Sequence, residues 1–257
     1  MNRFLKISVW VLTVAAIGAL WFFTRKDYTE DRLHRVDFKI VNGHGFINYD
    51  RELGIILAIC DTASNRQVTD IPVDSVRKTL AENPWATDVR ANLSLRRILN
   101  IEMTECQPIM RIYNDEGKSL YLDKDGNIFP VGRRYIPHVL ICSGHFSFPV
   151  TREKWHNVND SVYASTDLPN AFDVASSILN DDYASQNVGH IYLAKNRQYE
   201  LVVRNSDLHV ILGYPDNVSE KLLKMKYFFD RMMGREELNG YSKINLNYKN
   251  QVVCTKK

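Results

Sequence analysis

The stretch Ala86–Tyr113, ATDVRANLSLRRILNIEMTECQPIMRIY, decides the fold because two sequence patterns meet within it. Apolar and polar residues alternate in Val89–Leu93 and again in Ile98–Glu105, with a short turn between them. Alternation with period two predicts two half-buried strands. After Pro108 the chain continues as short strands, beginning with Ile109–Tyr113. The stretch therefore ends an α+β unit and begins a β-rich one.

The residues before this stretch predict one strand and two helices. Val36–Val41 alternates like a half-buried strand. Asn48 can cap a helix whose apolar residues follow helical spacing as far as Cys60. Pro72 suits the first turn of a second helix, which Asn83-Pro84 ends. The predicted order from Val36 to Ile109 is therefore β-α-α-β-β.

The residues after Tyr113 predict a mostly antiparallel β domain with flanking helices. Asp123–Asn127 is read as a tight turn rather than a calcium loop, since no distal glutamate follows at loop spacing. Two segments have apolar residues at helical spacing, Asn170–Asp182 and Ser219–Gly234. Between them we predict three strands, and the chain ends in a further strand element, Lys243–Thr255.

The uncharged segment Ile7–Thr24 predicts a single transmembrane helix. Its residues would span about 27 Å, close to a hydrocarbon core of roughly 30 Å. A cleaved signal peptide is the alternative, but its apolar region is shorter and ends in small residues, whereas Trp21-Phe22-Phe23 is bulky. Basic residues flank both ends almost equally, so charge leaves the orientation open.

The composition and the missing motifs argue against an enzyme and against nucleic-acid binding. The net charge is only +3, and no serine elbow, phosphate loop or metal-ligand spacing occurs. Ser143, His145 and Asp160 could be combined into a triad, but any chain of this length offers such combinations. The four cysteines would allow three disulfide pairings if the domain is extracytoplasmic. We favour the alternative, in which the cysteines are small buried hydrophobic residues. We expect no cofactor and no metal.

Several motifs in a fixed order resemble the bacterial cell division family FtsQ/DivIB, and most closely its Bacteroidetes-type members. They are Asn83-Pro84-Trp85, Val89–Leu93, Ile101-x-Met103, Glu105–Ile109, Tyr121–Pro130, Ile136-Pro137, Leu212-Gly213 and Ile244–Val253. The chain departs from the family pattern at Cys106, where a basic residue is usual, and at Asn245 and Asn247, where the family carries Asp and Arg. These departures change the polar contacts expected at the three positions, but the expected strand pairing stays the same.

The resemblance implies a cytoplasmic tail (1–6), a transmembrane helix (7–24), a linker (25–35), a POTRA domain (36–109) and a β domain (110–257). The last two would lie in the periplasm, which would resolve the orientation. It also implies a non-catalytic scaffold of the divisome at the inner membrane, enriched at the septum, which links early and late division proteins.

The resemblance further implies partners similar to FtsB and FtsL, with FtsK as a candidate for the POTRA domain. In the family the last β-domain strand receives an added strand from FtsB. The matching positions here are Ile244, Leu246, Tyr248, Gln251, Val252 and Val253. Strand addition requires a free sheet edge. A strand buried in the centre of the sheet, which needs no partner, is the alternative.

Two other functions stay open at this point. One is a POTRA-containing envelope assembly or transport factor, which a second POTRA repeat would support, and none is visible. The other is an anchored hydrolase with a dispersed site, which would include His145 and Asp160.

Overall fold

A computed structural model of the chain describes residues 2–30, 33–61, 71–150, 156–204, 208–232, 240–249 and 251–257. The chain forms two compact units, Met1–Glu105 and Cys106–Lys257. Each unit has a separate hydrophobic core. The unit boundary falls within the stretch where the sequence pattern changes.

The first unit begins with helix α1, Asn2–Glu30. The prediction of a transmembrane helix over residues 7–24 is wrong: none of the helices in the described part of the chain is both long and apolar enough for a membrane crossing. The single-pass topology predicted from this helix is therefore not supported. The predicted linker, 25–35, lies partly outside the described residues.

A three-stranded sheet and two helices complete the first unit. The elements are β1 (Arg35–Val41), α2 (Tyr49–Asp61), α3 (Val73–Ala81), β2 (Ala86–Leu93) and β3 (Ile98–Glu105). This order, β-α-α-β-β, confirms the predicted one. The central strand β3 pairs parallel with β1 and antiparallel with β2. Apolar residues from the helices and the sheet form one core, including Ile56, Val76, Leu80, Leu99, Ile101 and Met103.

The buried carboxylate of Glu105 closes the loop between β1 and α2. One oxygen, Oε1, accepts hydrogen bonds of 2.9–3.0 Å from the N–H groups of His44, Gly45 and Phe46, and Oε2 accepts one of 3.1 Å from Ile47. Charge-assisted bonds of this kind compensate for the burial of a carboxylate. Glu105, in the motif that resembles the family, therefore has a structural role.

Ten strands of the second unit form one sheet, in the order β13-β12-β11-β10-β9-β7-β4-β5-β6-β8. They are β4 (Pro108–Tyr113), β5 (Ser119–Asp123), β6 (Asn127–Pro130), β7 (Leu140–Gly144), β8 (His156–Asn157), β9 (Val188–Leu193), β10 (Tyr199–Val203), β11 (His209–Gly213), β12 (Tyr241–Asn245) and β13 (Val253–Lys256). Three neighbouring pairs are parallel and six are antiparallel. The predicted mostly antiparallel character of this part is confirmed.

Three helices share a core with one face of this sheet: α4 (Leu168–Leu179), α5 (Asp182–Asn187) and α6 (Val218–Met232). Alternate strand residues enter the core, including Met110, Ile112, Cys142, Ile191, Leu201, Val210 and Ile244. The residues between them on the central strands, such as Ile141, His190 and Val202, stay partly exposed. The sheet therefore has one covered face and one more open face.

The structure corrects the element bounds in three places. The helix predicted over Asn170–Asp182 corresponds to α4, which ends at Leu179. A second helix that was not predicted, α5, begins at Asp182, and Asp181 caps it by accepting the N–H groups of Tyr183 and Ala184. Strands β7 and β8 were not predicted from the sequence. The last element, predicted as one strand over Lys243–Thr255, is the hairpin β12–β13. Gly234, the predicted end of α6, lies outside the described residues.

Candidate functional site

Strand β13 is the free edge of the ten-stranded sheet at its C-terminal end. It pairs antiparallel with β12, and no other strand of the described chain pairs with it. The Lys257 N–H donates to the Gly240 carbonyl at 2.8 Å, so this position faces β12. Backbone direction alternates along an antiparallel strand, so Cys254 and Lys256 face away from β12. The N–H groups of Cys254 and Lys256 and the Cys254 carbonyl are therefore directed toward the position of an added strand, whereas the Lys256 carbonyl accepts a hydrogen bond of 3.3 Å from Ser242 Oγ of β12.

The neighbouring strand β12 is held firmly in place. Ile244 and Leu246 are fully buried in the core. The Leu246 N–H donates to Ile211 of β11 at 3.0 Å, which fixes the parallel pairing of β11 and β12. Lys224 of α6 donates from Nζ to the carbonyls of Leu246 (2.8 Å) and Tyr248 (3.2 Å). The edge strand thus pairs with a rigid neighbour.

A glycine in β11 makes room for the segment that joins β12 to β13. Gly213 has φ +81, and a Cβ atom there would overlap the Asn247 side chain. The Asn247 N–H in turn donates to Oδ1 of Asn245 at 3.0 Å. Asn245 and Asn247 stand where the family carries Asp and Arg, and here they form a neutral turn without an ion pair of their own.

The six predicted partner-binding residues divide into two groups in the structure. Ile244 and Leu246 are core residues and support the edge from behind. Tyr248, Gln251 and Val253 are exposed, and Val252 is half-buried against the core. The edge strand also contains Cys254, Thr255 and Lys256, which the prediction did not include. The polar run Asn247–Gln251 was the available signal that the segment is two strands and not one.

The burial of Cys254 separates it from the other cysteines. None of the four cysteines forms a disulfide bond, so none of the three possible pairings is present. Cys60, Cys106 and Cys142 are buried, as favoured from the sequence. Cys254 is only half-buried, and desolvation raises the pKa of its thiol. The thiol is therefore mostly protonated at neutral pH and acts as a small apolar side chain.

The groups considered for catalysis or metal binding do not converge. Ser143 Oγ lies 2.8 Å from Nε2 of His190, and not of His145. Asp160 accepts the Asn157 N–H at 2.8 Å and lies 3.4 Å from Nδ1 of His156. Ser143 and Asp160 are thus each paired with a histidine other than His145, the histidine that the triad would require.

The Asp123–Asn127 segment is a hairpin turn between β5 and β6, as predicted. Asp123 Oδ1 accepts the N–H groups of Asp125 and Asn127, both at 2.9 Å, and Oδ2 accepts Asn127 Nδ2 at 3.0 Å. The carboxylate is therefore occupied by its own turn. Over the residues that the structure describes, no group of three or more His, Cys, Asp or Glu side chains is arranged to hold a metal ion.

A family model described as FtsQ/DivIB, C-terminal related, matches residues 107–255, more than half of the chain. The chain belongs to the FtsQ/DivIB family. The match covers the ten-stranded sheet and extends into its edge strand β13. FtsQ/DivIB proteins are cell division proteins, generally without enzymatic activity, which act through protein–protein interactions in the divisome and associate with the septum. No curated protein matches the chain closely enough to count as a relative.

Proposed function

We propose that the chain is a non-catalytic scaffold of the bacterial divisome which links early and late division proteins by strand addition at β13. The observation that carries this proposal is the free edge of a large sheet in an FtsQ/DivIB protein. An unpaired edge strand offers a row of N–H and C=O groups to another chain, and its side chains supply specificity.

Proteins similar to FtsB and FtsL are the proposed partners, with the FtsB-like protein supplying the strand. Val253 lies within β13. Tyr248, Gln251 and Val252 precede it and would flank the added strand. The unit with β-α-α-β-β order, proposed to be a POTRA domain over residues 36–109, is a separate candidate surface for an FtsK-like protein.

A proline at an outward-facing position of β13 tests this proposal. Cys254→Pro removes an N–H that points away from β12, and edge strands tolerate proline at such positions. We expect the variant to fold and to lose co-purification with the FtsB-like and FtsL-like proteins of the same organism. Cys254→Ala is the matched control, because it removes the thiol and keeps the N–H, and it should retain both partners.

Two outcomes would contradict the proposal. Undiminished co-purification of a folded Cys254→Pro variant would show that the partner does not use this edge. Uniform envelope fluorescence of a tagged protein in dividing cells, in place of a midcell band, would favour the envelope assembly or transport alternative. Circular dichroism and thermal unfolding of both Cys254 variants verify that each is folded.

A further inference from the structure

We infer that the strand received by β13 is acidic, with an apolar side chain beside Cys254 and carboxylates beside Thr255 and Lys256. This inference rests on the proposed strand addition and adds the chemistry of the partner. It depends on the charges of the terminal hairpin and on the side of the sheet to which each residue points.

The terminal hairpin is basic throughout. Residues 241–257 contain four lysines, Lys243, Lys249, Lys256 and Lys257, and no aspartate or glutamate. All four side chains are exposed. Within the described part of the chain, none of them forms an ion pair with a carboxylate. Elsewhere in the chain basic and acidic residues are nearly balanced, so this excess of positive charge is local to the free edge.

The side chain of Lys243 can reach an added strand although Lys243 lies in β12, one strand behind the edge. Lys243 lies opposite Thr255 in the register of β12 and β13, so both point to the open face. Threonine is short, and the long lysine side chain can extend over it toward the next strand. A partner residue beside Thr255 would therefore place its side chain near the Lys243 ammonium group. A carboxylate is the side chain that this position favours.

The opposite side of β13 has one apolar and one basic position. Cys254 packs against the hydrophobic core, as does Val252 two residues earlier. Lys256 follows on the same side because side chains alternate along a strand. The partner residue beside Cys254 would cover a half-buried thiol and is expected to be apolar. The residue beside Lys256 would lie directly across from an ammonium group, where an opposite charge is stabilising.

Short synthetic peptides test this pattern on the full chain. The probe is acetyl-Thr-Val-Glu-Glu-Val-Thr-amide, whose core reads the same in both directions and so suits a parallel or an antiparallel strand. Matched peptides carry Gln-Gln or Lys-Lys in place of Glu-Glu. Affinity is measured by isothermal titration calorimetry at low and high salt, because screening weakens only the charge-dependent part of binding.

We expect the glutamate peptide to bind most tightly, the glutamine peptide less tightly and the lysine peptide least. The double variant K243E/K256E should weaken binding of the glutamate peptide about tenfold, because two opposite-charge pairs become two like-charge pairs. The control K195E changes an exposed lysine in the β9–β10 turn and should leave the affinity unchanged.

The outcomes separate this inference from the proposed function. Equal affinity for the glutamate and glutamine peptides, or an unchanged affinity in K243E/K256E, would overturn the acidic pattern and leave strand addition standing. Binding that persists in Cys254→Pro would overturn strand addition itself, since the peptide would then occupy another surface. No measurable binding of any of the three peptides would overturn the inference.

Discussion

The two edge strands of the ten-stranded sheet, β8 and β13, differ in length and in the hydrogen bonds around them. At one end β8 has only two residues, His156–Asn157. The Asn157 side chain donates to the Asp125 carbonyl (2.9 Å) and to Asn127 Oδ1 (3.1 Å), and accepts the Asn159 N–H (3.0 Å). At the other end β13 has four residues, and the N–H groups of Cys254 and Lys256 face outward.

This difference shows how one sheet can protect one edge and keep the other available. Proteins commonly prevent unwanted strand pairing by keeping an edge strand very short. At β8, hydrogen bonds from the Asn157 side chain also hold the short strand in place. The Val158 N–H also donates to the Gly126 carbonyl at 2.9 Å, which holds the chain beyond β8 against the β5–β6 turn. Lysines on an edge likewise oppose unspecific association, while an acidic strand would still be accepted there.

Two truncations give the largest expected effect. A chain that ends at Ser242 loses Ile244 and Leu246, which are fully buried. Losing a buried side chain of this size costs about 2–5 kcal/mol, and a whole domain is stable by only about 5–15 kcal/mol. We therefore expect the second unit of this truncated chain to be unfolded or severely destabilised in thermal unfolding.

A chain that ends at Lys249 is the sharper version of the same experiment. It keeps Ile244, Leu246 and the Lys224 hydrogen bonds, and it removes β13. We expect it to unfold cooperatively at a modestly lower temperature and to lose the FtsB-like partner. If both truncations unfold alike, β13 belongs to the core and the comparison between the two edges does not hold.

Asn157→Ala probes the protected edge. The substitution removes three hydrogen bonds and should lower the free energy of unfolding by about 1–2 kcal/mol. Partner binding should be unchanged, because β8 is at the opposite end of the sheet. Chemical denaturation measures the first effect and co-purification the second. A loss of partner binding in this variant would assign the interaction to β8 and not to β13.

The centre of the sheet gives a smaller, pH-dependent effect. Desolvation lowers the pKa of His190, whose neighbours across the sheet, Ile141 and Val202, are uncharged. The folded state therefore binds the proton less readily than the unfolded state, so stability is retained above pH about 6.5 and falls as the pH decreases below it. Between about pH 7.5 and about pH 5.5 the unfolding temperature should fall less in His190→Gln than in the wild type. An equal decrease would assign the pH dependence to other groups.

Local patterns predicted most elements because burial on one face imposes a regular spacing. The alternation in Ile98–Glu105 and the helical spacing in Ser219–Gly234 both correspond to observed elements. β8 could not be predicted, since two residues are too few to show an alternating apolar and polar pattern. The capped helix α5 was missed because Asp181 was read as the end of a helix, although it begins the next one.

The candidate site was predicted only in part, for a physical reason. A final strand element could be placed at Lys243–Thr255 from the sequence pattern, but strand order within a sheet depends on contacts that are distant in sequence. Ile244, in β12, and Leu246, directly after it, were therefore grouped with the exposed residues, whereas the structure buries both in the core. The transmembrane prediction depended on the length, the lack of charge and the bulky aromatic end of Ile7–Thr24, and α1 does not support it over the described residues.

Hydrogen–deuterium exchange at β13 tests strand addition most directly. When the FtsB-like partner binds, the amides of Cys254 and Lys256 should exchange much more slowly, because they then donate to the added strand. The amide of Lys257, which already donates to Gly240, should change little. Unchanged exchange at Cys254 and Lys256, with new protection at β8 or in the first unit, would contradict the account.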